Sequence, residues 1–403
     1  MTEAAPSLFG TVEPFAGDPI LSLNIAFQGD PRTEKVNLTI GIYMDGAGKV
    51  PVLPSVKAAA DKLGFGVRSY IPMEGLPEYR RLVQELVFGK THDVLAEKRV
   101  ATIQSVGGTG ALSVAADFLA KHAPGRAVYV SDPTWDNHHG LFQRAGFETK
   151  TYPYWDGATR TLRFDDMLKT LEEAPAGSIV IVQPVCHNPT GVDLSRAQQD
   201  ALTDLLIAKK HITVFDMAYQ GFADGLDEDA GFVRRFADRT SSFLVANSFS
   251  KNFSLYGERC GGLSVVCTAA DEADRVLGQL KLAVRRSYSN PPTTGGLLIA
   301  TVLGDPALRA QWEAEVAEMR VRMKYMREKL AAEVNKLSNE IDVGFITQQR
   351  GMFSYTGLTK PQVVQMRETD GVYLVESGRM CVAGLTDANV TAVAKSLVAA
   401  RAA

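Results

Sequence analysis

The chain is short of cysteine, tryptophan, histidine and net charge. Its 403 residues include four cysteines, three tryptophans and six histidines, with a formal net charge of −3 at pH 7. Cys186, Cys260, Cys267 and Cys381 are few for the length and fit no zinc spacing, so they read as reduced thiols and no metal is expected. A net charge this small excludes a global bias toward nucleic acid or an anionic membrane. No apolar run is long enough to span a bilayer. Residues 1–10 lack the basic segment and apolar core of a signal peptide. Repeats, low-complexity segments and linker-like tracts are also missing. The expected compartment is the cytoplasm.

What is present is ordinary for a soluble globular enzyme: 45% apolar and 22% charged residues. The length suggests roughly two to three domains. Residues 1–30 read as irregular, broken by Pro6, Pro14, Gly17, Pro19 and Gly29, and suit an arm lying on another subunit or a flexible terminus. Residues 36–43 alternate enough to be a short strand. From about 50 onward, apolar runs at 100–104, 127–131, 179–183, 212–215, 243–246 and 263–267 alternate with helical stretches at 111–121, 139–144, 165–173 and 196–210. That alternation predicts an α/β fold with a mostly parallel sheet covered on both faces. After about 306 the texture changes to one long charged helix over 308–337, then short mixed elements. The expected organisation is a large domain at 50–305 and a smaller α+β domain built from 1–49 and 306–403.

Four motifs sit at predicted strand ends. Gly107-Gly108-Thr109-Gly110 follows a strand and opens a helix, where close backbone approach and free amides suit a phosphate, though a glycine-rich cap reads the same way. No Walker A lysine accompanies it, which disfavours a nucleoside triphosphate. His187-Asn188-Pro189-Thr190-Gly191 fixes a turn at the carboxyl edge of the sheet, and the Asn188 amide there is either a ligand donor or a local turn bond. Asp216 ends an apolar strand and requires a cationic partner, either a neighbouring Arg or Lys or a protonated ring nitrogen, with Tyr219 three residues on. Ser248, Lys251 and Arg259 fall within twelve positions. A serine and an arginine suit a phosphate. A lysine on a small-residue loop is placed for desolvation and Schiff-base chemistry. A phosphate cradle, a ring-nitrogen acid, donors for a phenolic oxygen and a nucleophilic lysine together describe pyridoxal 5′-phosphate.

With these strings, and with Tyr70–Gly75, Pro133–His138, Ser289–Pro292 and Ser377-Gly378-Arg379, the chain resembles the aspartate/aromatic branch of the class I aminotransferases, which are fold-type I pyridoxal-phosphate enzymes. The resemblance runs from about Asn24 to the C-terminus. It implies that Lys251 forms the internal aldimine and shuttles a proton, that Asp216 faces the pyridinium, and that Asn188 and Tyr219 donate to the ring oxygen. It implies Gly108, Thr109, Ser248 and Arg259 as phosphate ligands, with Tyr70 lent by a second subunit. Trp135, read alone a packing aromatic, is implied to stack on the ring and, with Gly41 and Asn188, to border the substrate. Arg379 is implied to grip the α-carboxylate, and Arg285 to reach a distal carboxylate across a homodimer with shared sites. The implied reaction is ping-pong exchange between an amino acid and a 2-oxo acid.

Apolar bulk at Ile42, Tyr43, Met44 and Val50 resembles the aromatic branch, so the expected substrates are tyrosine and phenylalanine, with tryptophan a further candidate, and 2-oxoglutarate as acceptor. Aspartate aminotransferase is the alternative. Burying an aromatic side chain gains roughly 1.5–3 kcal/mol, whereas stranding a buried guanidinium costs roughly 3–5 kcal/mol. Arg285 is therefore expected to swing to solvent when an aromatic substrate binds. A pyridoxal-phosphate lyase or decarboxylase is disfavoured by the pair Arg379 and Arg285. An aminotransferase-like DNA-binding regulator is disfavoured by the short N-terminus.

Overall fold

The structure is a computed structural model that describes residues 9–402 apart from 16, 65 and 158. Among the described residues, seven strands form the main sheet. From edge to edge they are Thr149–Pro153, Val128–Asp132, Ile179–Val182, Ile212–Met217, Phe243–Ser248, Cys260–Val266 and Val100–Val106. The first five run parallel, and Cys260–Val266 is antiparallel to both its neighbours. The inner strands are continuous β-branched and aromatic runs because helices cover both faces. Period-2 alternation divides Ile212–Met217 between two cores. Phe215 packs edge-on against Phe232, Phe236 and Phe243 on one face, while Val214 joins Leu112 and Ala115 of the helix Gly107–His122 on the other.

A third core draws on both chain ends. Leu38 packs with Leu330, Val363, Val382 and Leu397. The helix Pro306–Leu337 links the cores: Trp312, Val316 and Met323 belong to one of the sheet's cores, Met326 and Val334 to the third. Its 32 residues span about 48 Å at 1.5 Å per residue. Asp305 caps its start by accepting the N–H groups of Ala307 and Leu308.

Two expectations are corrected. Residues 19–29, read as irregular, form the helix Pro19–Gly29, because the Asp18 carboxylate accepts from Ile20 and Leu21 N–H at 2.9 and 2.8 Å. The part of that reading on residues 1–8, including Pro6, lies outside the described residues. The strand expected at 36–43 is confined to Val36–Asn37, paired with Val372–Tyr373. Beyond it the Asn37 side chain accepts from the Thr39 N–H and hydroxyl at 3.0 and 2.7 Å, which turns the chain off the ladder. Elements absent from the sequence reading have identifiable causes. Thr149–Pro153 is a polar edge strand with no apolar run. Thr293–Gly304 carries a Gly295-Gly296 pair, which disfavours a helix. Those glycines instead admit Cys260 and Gln104, whose atoms lie 2.3 and 2.5 Å from where a Cβ would stand.

Candidate active site

The parallel strands all end at one edge of the sheet, where ligands of open α/β sheets bind. Cys260–Val266 runs the other way, so its beginning lies at that same edge. Its register sets Cys260 beside Val106 and Gly261 beside Ser248. Arg259, just before it, thus reaches the helix start at Gly107. Gly107 has φ +67° and leaves room for the guanidinium, since a Cβ there would stand 2.5 Å from an Arg259 Nη. A Cβ on Gly108 would press on Ser248 Cβ at 3.1 Å. Among the described residues only one Arg259 nitrogen, Nη1, is engaged, by Ser250 Oγ at 3.2 Å and Tyr256 O at 3.1 Å. The other donors stay available beside Gly108, Thr109 and Ser248, which line one cavity with them.

Lys251 lies on the loop after Phe243–Ser248, and aromatic packing holds that loop. Phe249 meets Tyr79 and Phe253 edge-on at 5.8 and 5.3 Å, Phe253 stacks on Trp312 at 4.5 Å, and Trp312 Nε1 donates to Asn252 O at 2.8 Å. The Lys251 ammonium has no hydrogen bond or ion pair among the described residues; the Tyr219 ring centroid is 5.5 Å away. Burial pulls its pKa down to about 8, against the Asp216 carboxylate and with help from Arg259 and Arg379.

Asp216 is buried, and one of its carboxylate oxygens faces His138 Nε2 at 3.0 Å. His138 is fully buried, and its Nδ1 faces the Thr134 hydroxyl at 2.7 Å. A carboxylate only accepts, so Nε2 carries the proton and Nδ1 accepts from Thr134 in the neutral ring. Sequence reasoning missed His138, although it lay within a quoted string; its spacing of four from Thr134 was the available signal. Of the two cationic partners that the sequence left open for Asp216, no Arg or Lys pairs with it among the described residues. Gln183 and Ser250 are further cavity-lining residues that sequence reasoning left out.

Asn188 is set by two hydrogen bonds with Gln183: its N–H donates to Oε1 at 2.8 Å, and its carbonyl accepts from Nε2 at 2.9 Å. Asp193 accepts from the N–H groups of Cys186 and His187 at 2.8 and 2.9 Å, tightening the same turn. Gly191, at φ +69°, closes it against Phe353 O, which a Cβ would strike at 2.4 Å. Tyr219 is buried in the cavity wall, and burial, then Asp216, raises its hydroxyl pKa well above the ordinary value. Trp135, half-buried, also lines the cavity and stands edge-on to His138 at 5.3 Å.

Arg379 comes from the short strand Arg379–Cys381. It is buried, donating through Nη2 to Thr39 O at 2.6 Å and through Nη1 to Asn188 Oδ1 at 3.3 Å. Its Nε has no hydrogen-bond partner among the described residues. The Phe353 ring lies 4.5 Å from the guanidinium, and Gly41 admits that ring, since a Cβ there would stand 2.8 Å from its Cζ. Arg379, Asn188 and Gly41 are thus brought together. Tyr70 and Arg285 are not part of this cluster: Tyr70 is 92% exposed, and Arg285, at the end of the helix Ala270–Ser287, is exposed and donates to Ser289 Oγ.

The cavity presents free donors at one side, an unpartnered amine, and a carboxylate backed by a histidine. That donor set fits a cofactor carrying a phosphate, an aldehyde and a basic ring nitrogen. Comparison with known proteins agrees. The family described as aminotransferase class I and II matches residues 33–397. The aromatic-amino-acid aminotransferase of Escherichia coli K12 is 52% identical over 97% of this chain and 100% of its own length. An aspartate aminotransferase of Pseudomonas aeruginosa is 46% identical over 97% of this chain and 99% of its own. The crystal structure of an aromatic-amino-acid aminotransferase from Burkholderia pseudomallei, covalently bound to pyridoxal phosphate, superimposes with a TM-score of 0.96 at 46% identity, covering 98% of this chain and 100% of that one. The chain belongs to the class I and II aminotransferase family.

Proposed function

We propose that this aminotransferase transfers the amino group of aromatic amino acids, tyrosine and phenylalanine with tryptophan a further candidate, to 2-oxoglutarate in a ping-pong reaction. Its cofactor is pyridoxal 5′-phosphate, which when bound supplies an aldehyde and an electron-accepting ring. Gly108, Thr109, Ser248 and Arg259 hold the phosphate. Asp216, braced by His138, keeps the ring nitrogen protonated. Asn188 and Tyr219 donate to the phenolic oxygen, and Trp135 covers one side. Lys251, with a pKa near 8, is partly unprotonated at neutral pH and takes and returns the proton at the substrate α-carbon. Arg379 offers its unpartnered Nε and one Nη to the α-carboxylate.

Tyr70 and Arg285 act across a homodimer, completing the partner's site. The large domain is 50–305, and 1–49 with 306–403 form the arm and the small domain. Four free, buried thiols suit a reducing cytoplasm, and among the described residues no helix is long and apolar enough to cross a membrane.

The observation that carries the catalytic reading is an unpaired Lys251 amine in the same cavity as Asp216. The 52% full-length identity with an aromatic-amino-acid aminotransferase favours aromatic substrates. Aspartate is the second reading, favoured by the 46% relative. The test is kcat/KM for phenylalanine and for aspartate against 2-oxoglutarate. A higher value for phenylalanine is expected; a large excess for aspartate would reverse the assignment.

A further inference from the structure

Arg327 sits in the helix Pro306–Leu337, and none of the roles above uses it. It is 2% exposed and has no ion pair among the described residues. Its guanidinium is turned instead on one stretch of backbone. Nη2 donates to Gly351 O at 2.8 Å and Phe353 O at 2.6 Å. Nη1 donates to Ile346 O at 3.4 Å and to the Ser354 hydroxyl. A rigid planar fork with several fixed donors can hold such a set; a flexible ammonium cannot hold all of it at once.

The stretch it holds leads directly to Arg379. Phe353–Tyr355 pairs with Arg379–Cys381, with Phe353 opposite Cys381 and Tyr355 opposite Arg379. The Phe353 ring lies under the Arg379 guanidinium and stands edge-on to Tyr219 at 5.9 Å. Phe353 O also abuts Gly191 in the turn that carries Asn188. We propose that Arg327 is a positioning residue for the substrate-carboxylate grip: by fixing 351–354 it fixes both the ring beneath Arg379 and the strand paired with Arg379. The proposal rests on the reading of Arg379 as the carboxylate-binding arginine.

The test uses the cofactor-loaded enzyme and 3-phenylpropionate, an aromatic monocarboxylate with no amino group, whose Kd is measured by calorimetry. Arg327→Lys keeps the charge and loses the fork. It is expected to raise Kd about tenfold or more, and to lower kcat/KM for phenylalanine mainly through KM. Cofactor content and absorbance should match the wild type. Ser354→Ala removes one partner and should shift Kd the same way by a factor of about three. Kd within about twofold of the wild type in both variants overturns the proposal. So does a parallel loss of cofactor and carboxylate binding, which would mark general loosening. If Arg327→Lys does not fold, Ser354→Ala decides alone. Arg379→Lys separates the two readings. If it leaves Kd unchanged, the carboxylate reading fails and this proposal with it. If it weakens binding while Arg327→Lys does not, only this proposal falls.

Discussion

The proposed cofactor corner and the proposed carboxylate grip at Arg379 are built on opposite plans. At the cofactor corner, side chains come from the ends of strands in one sheet, and their polar groups are left free: among the described residues Lys251 has no hydrogen bond or ion pair, and Arg259 uses one nitrogen of its guanidinium. At the carboxylate end, arginines are tied to backbone oxygen. Arg379 reaches Thr39 O, and Arg327 reaches three carbonyls. The difference shows where each geometry originates. The sheet presets the first site from consecutive strands. The second is assembled from segments far apart in sequence, Thr39, Asn188, Phe353 and Arg379, and exists only when the core joining both chain ends is packed.

The largest effects are expected at the cofactor corner. Lys251→Ala removes the amine that shares the cavity with Asp216, so turnover should fall by about four orders of magnitude or more. Steady-state kinetics with phenylalanine and 2-oxoglutarate would show it, and retention of even a tenth of the activity would break the assignment. Asp216→Asn keeps the shape and removes the charge. His138 then faces an amide in place of a carboxylate, and kcat should drop by roughly 10²- to 10⁴-fold. Because the carboxylate end is built separately, binding of 3-phenylpropionate should survive both changes within about threefold. Loss of carboxylate binding in step with kcat would mean that the two ends are not independent.

This contrast also explains what could be read from the sequence. The sheet and the cofactor corner were legible because each motif is local: an apolar strand followed by a short string of glycine, proline or serine. Lys251, Asp216, Asn188 and Arg259 come from such strings, and the structure brings them into one cavity. His138 escaped notice because nothing local says that it points back under a strand 78 residues later. Arg327 escaped for a related reason. In a charged helix it reads as one more solvated arginine, and only the packing of 346–354 reveals it as buried. The helix Pro19–Gly29 was masked by prolines and glycines that suggested irregular chain.

Arg285 belongs to neither region within one chain, which makes it a sharper probe of what lies outside both. If it meets a distal carboxylate in the homodimer, Arg285→Ala removes a charge-assisted hydrogen bond worth roughly 1.5–3 kcal/mol. That corresponds to a loss of about 10- to 150-fold in kcat/KM for aspartate and glutamate. Phenylalanine should lose much less, because the guanidinium is expected in solvent when an aromatic side chain binds. Parallel kcat/KM measurements on both substrate types decide it, and equal losses would reject the role.

The smallest effect lies at the seam. Asp193 tightens the Asn188 turn, and burial lifts its pKa to about 6 against the opposing pull of the His187 and Cys186 N–H groups and Arg350, with Asp229 raising it further. Its folded pKa therefore exceeds the ordinary carboxylate value near 4. Below about pH 4 the group is protonated both folded and unfolded, and no penalty arises. Between about 4 and 6 the folded state binds more protons, so stability falls as pH rises; above about 6 the full penalty is present. Asp193→Asn lacks this titration. Urea midpoints of the two proteins from pH 4 to 7 should show the variant gaining on the wild type across that window, by about 1–3 kcal/mol in all. His187, which burial holds down to about 3, titrates identically in both proteins and cancels from the difference. A flat difference across the window would mean that Asp193 is solvated as well as an unfolded carboxylate, and that the turn carrying Asn188 is held without it.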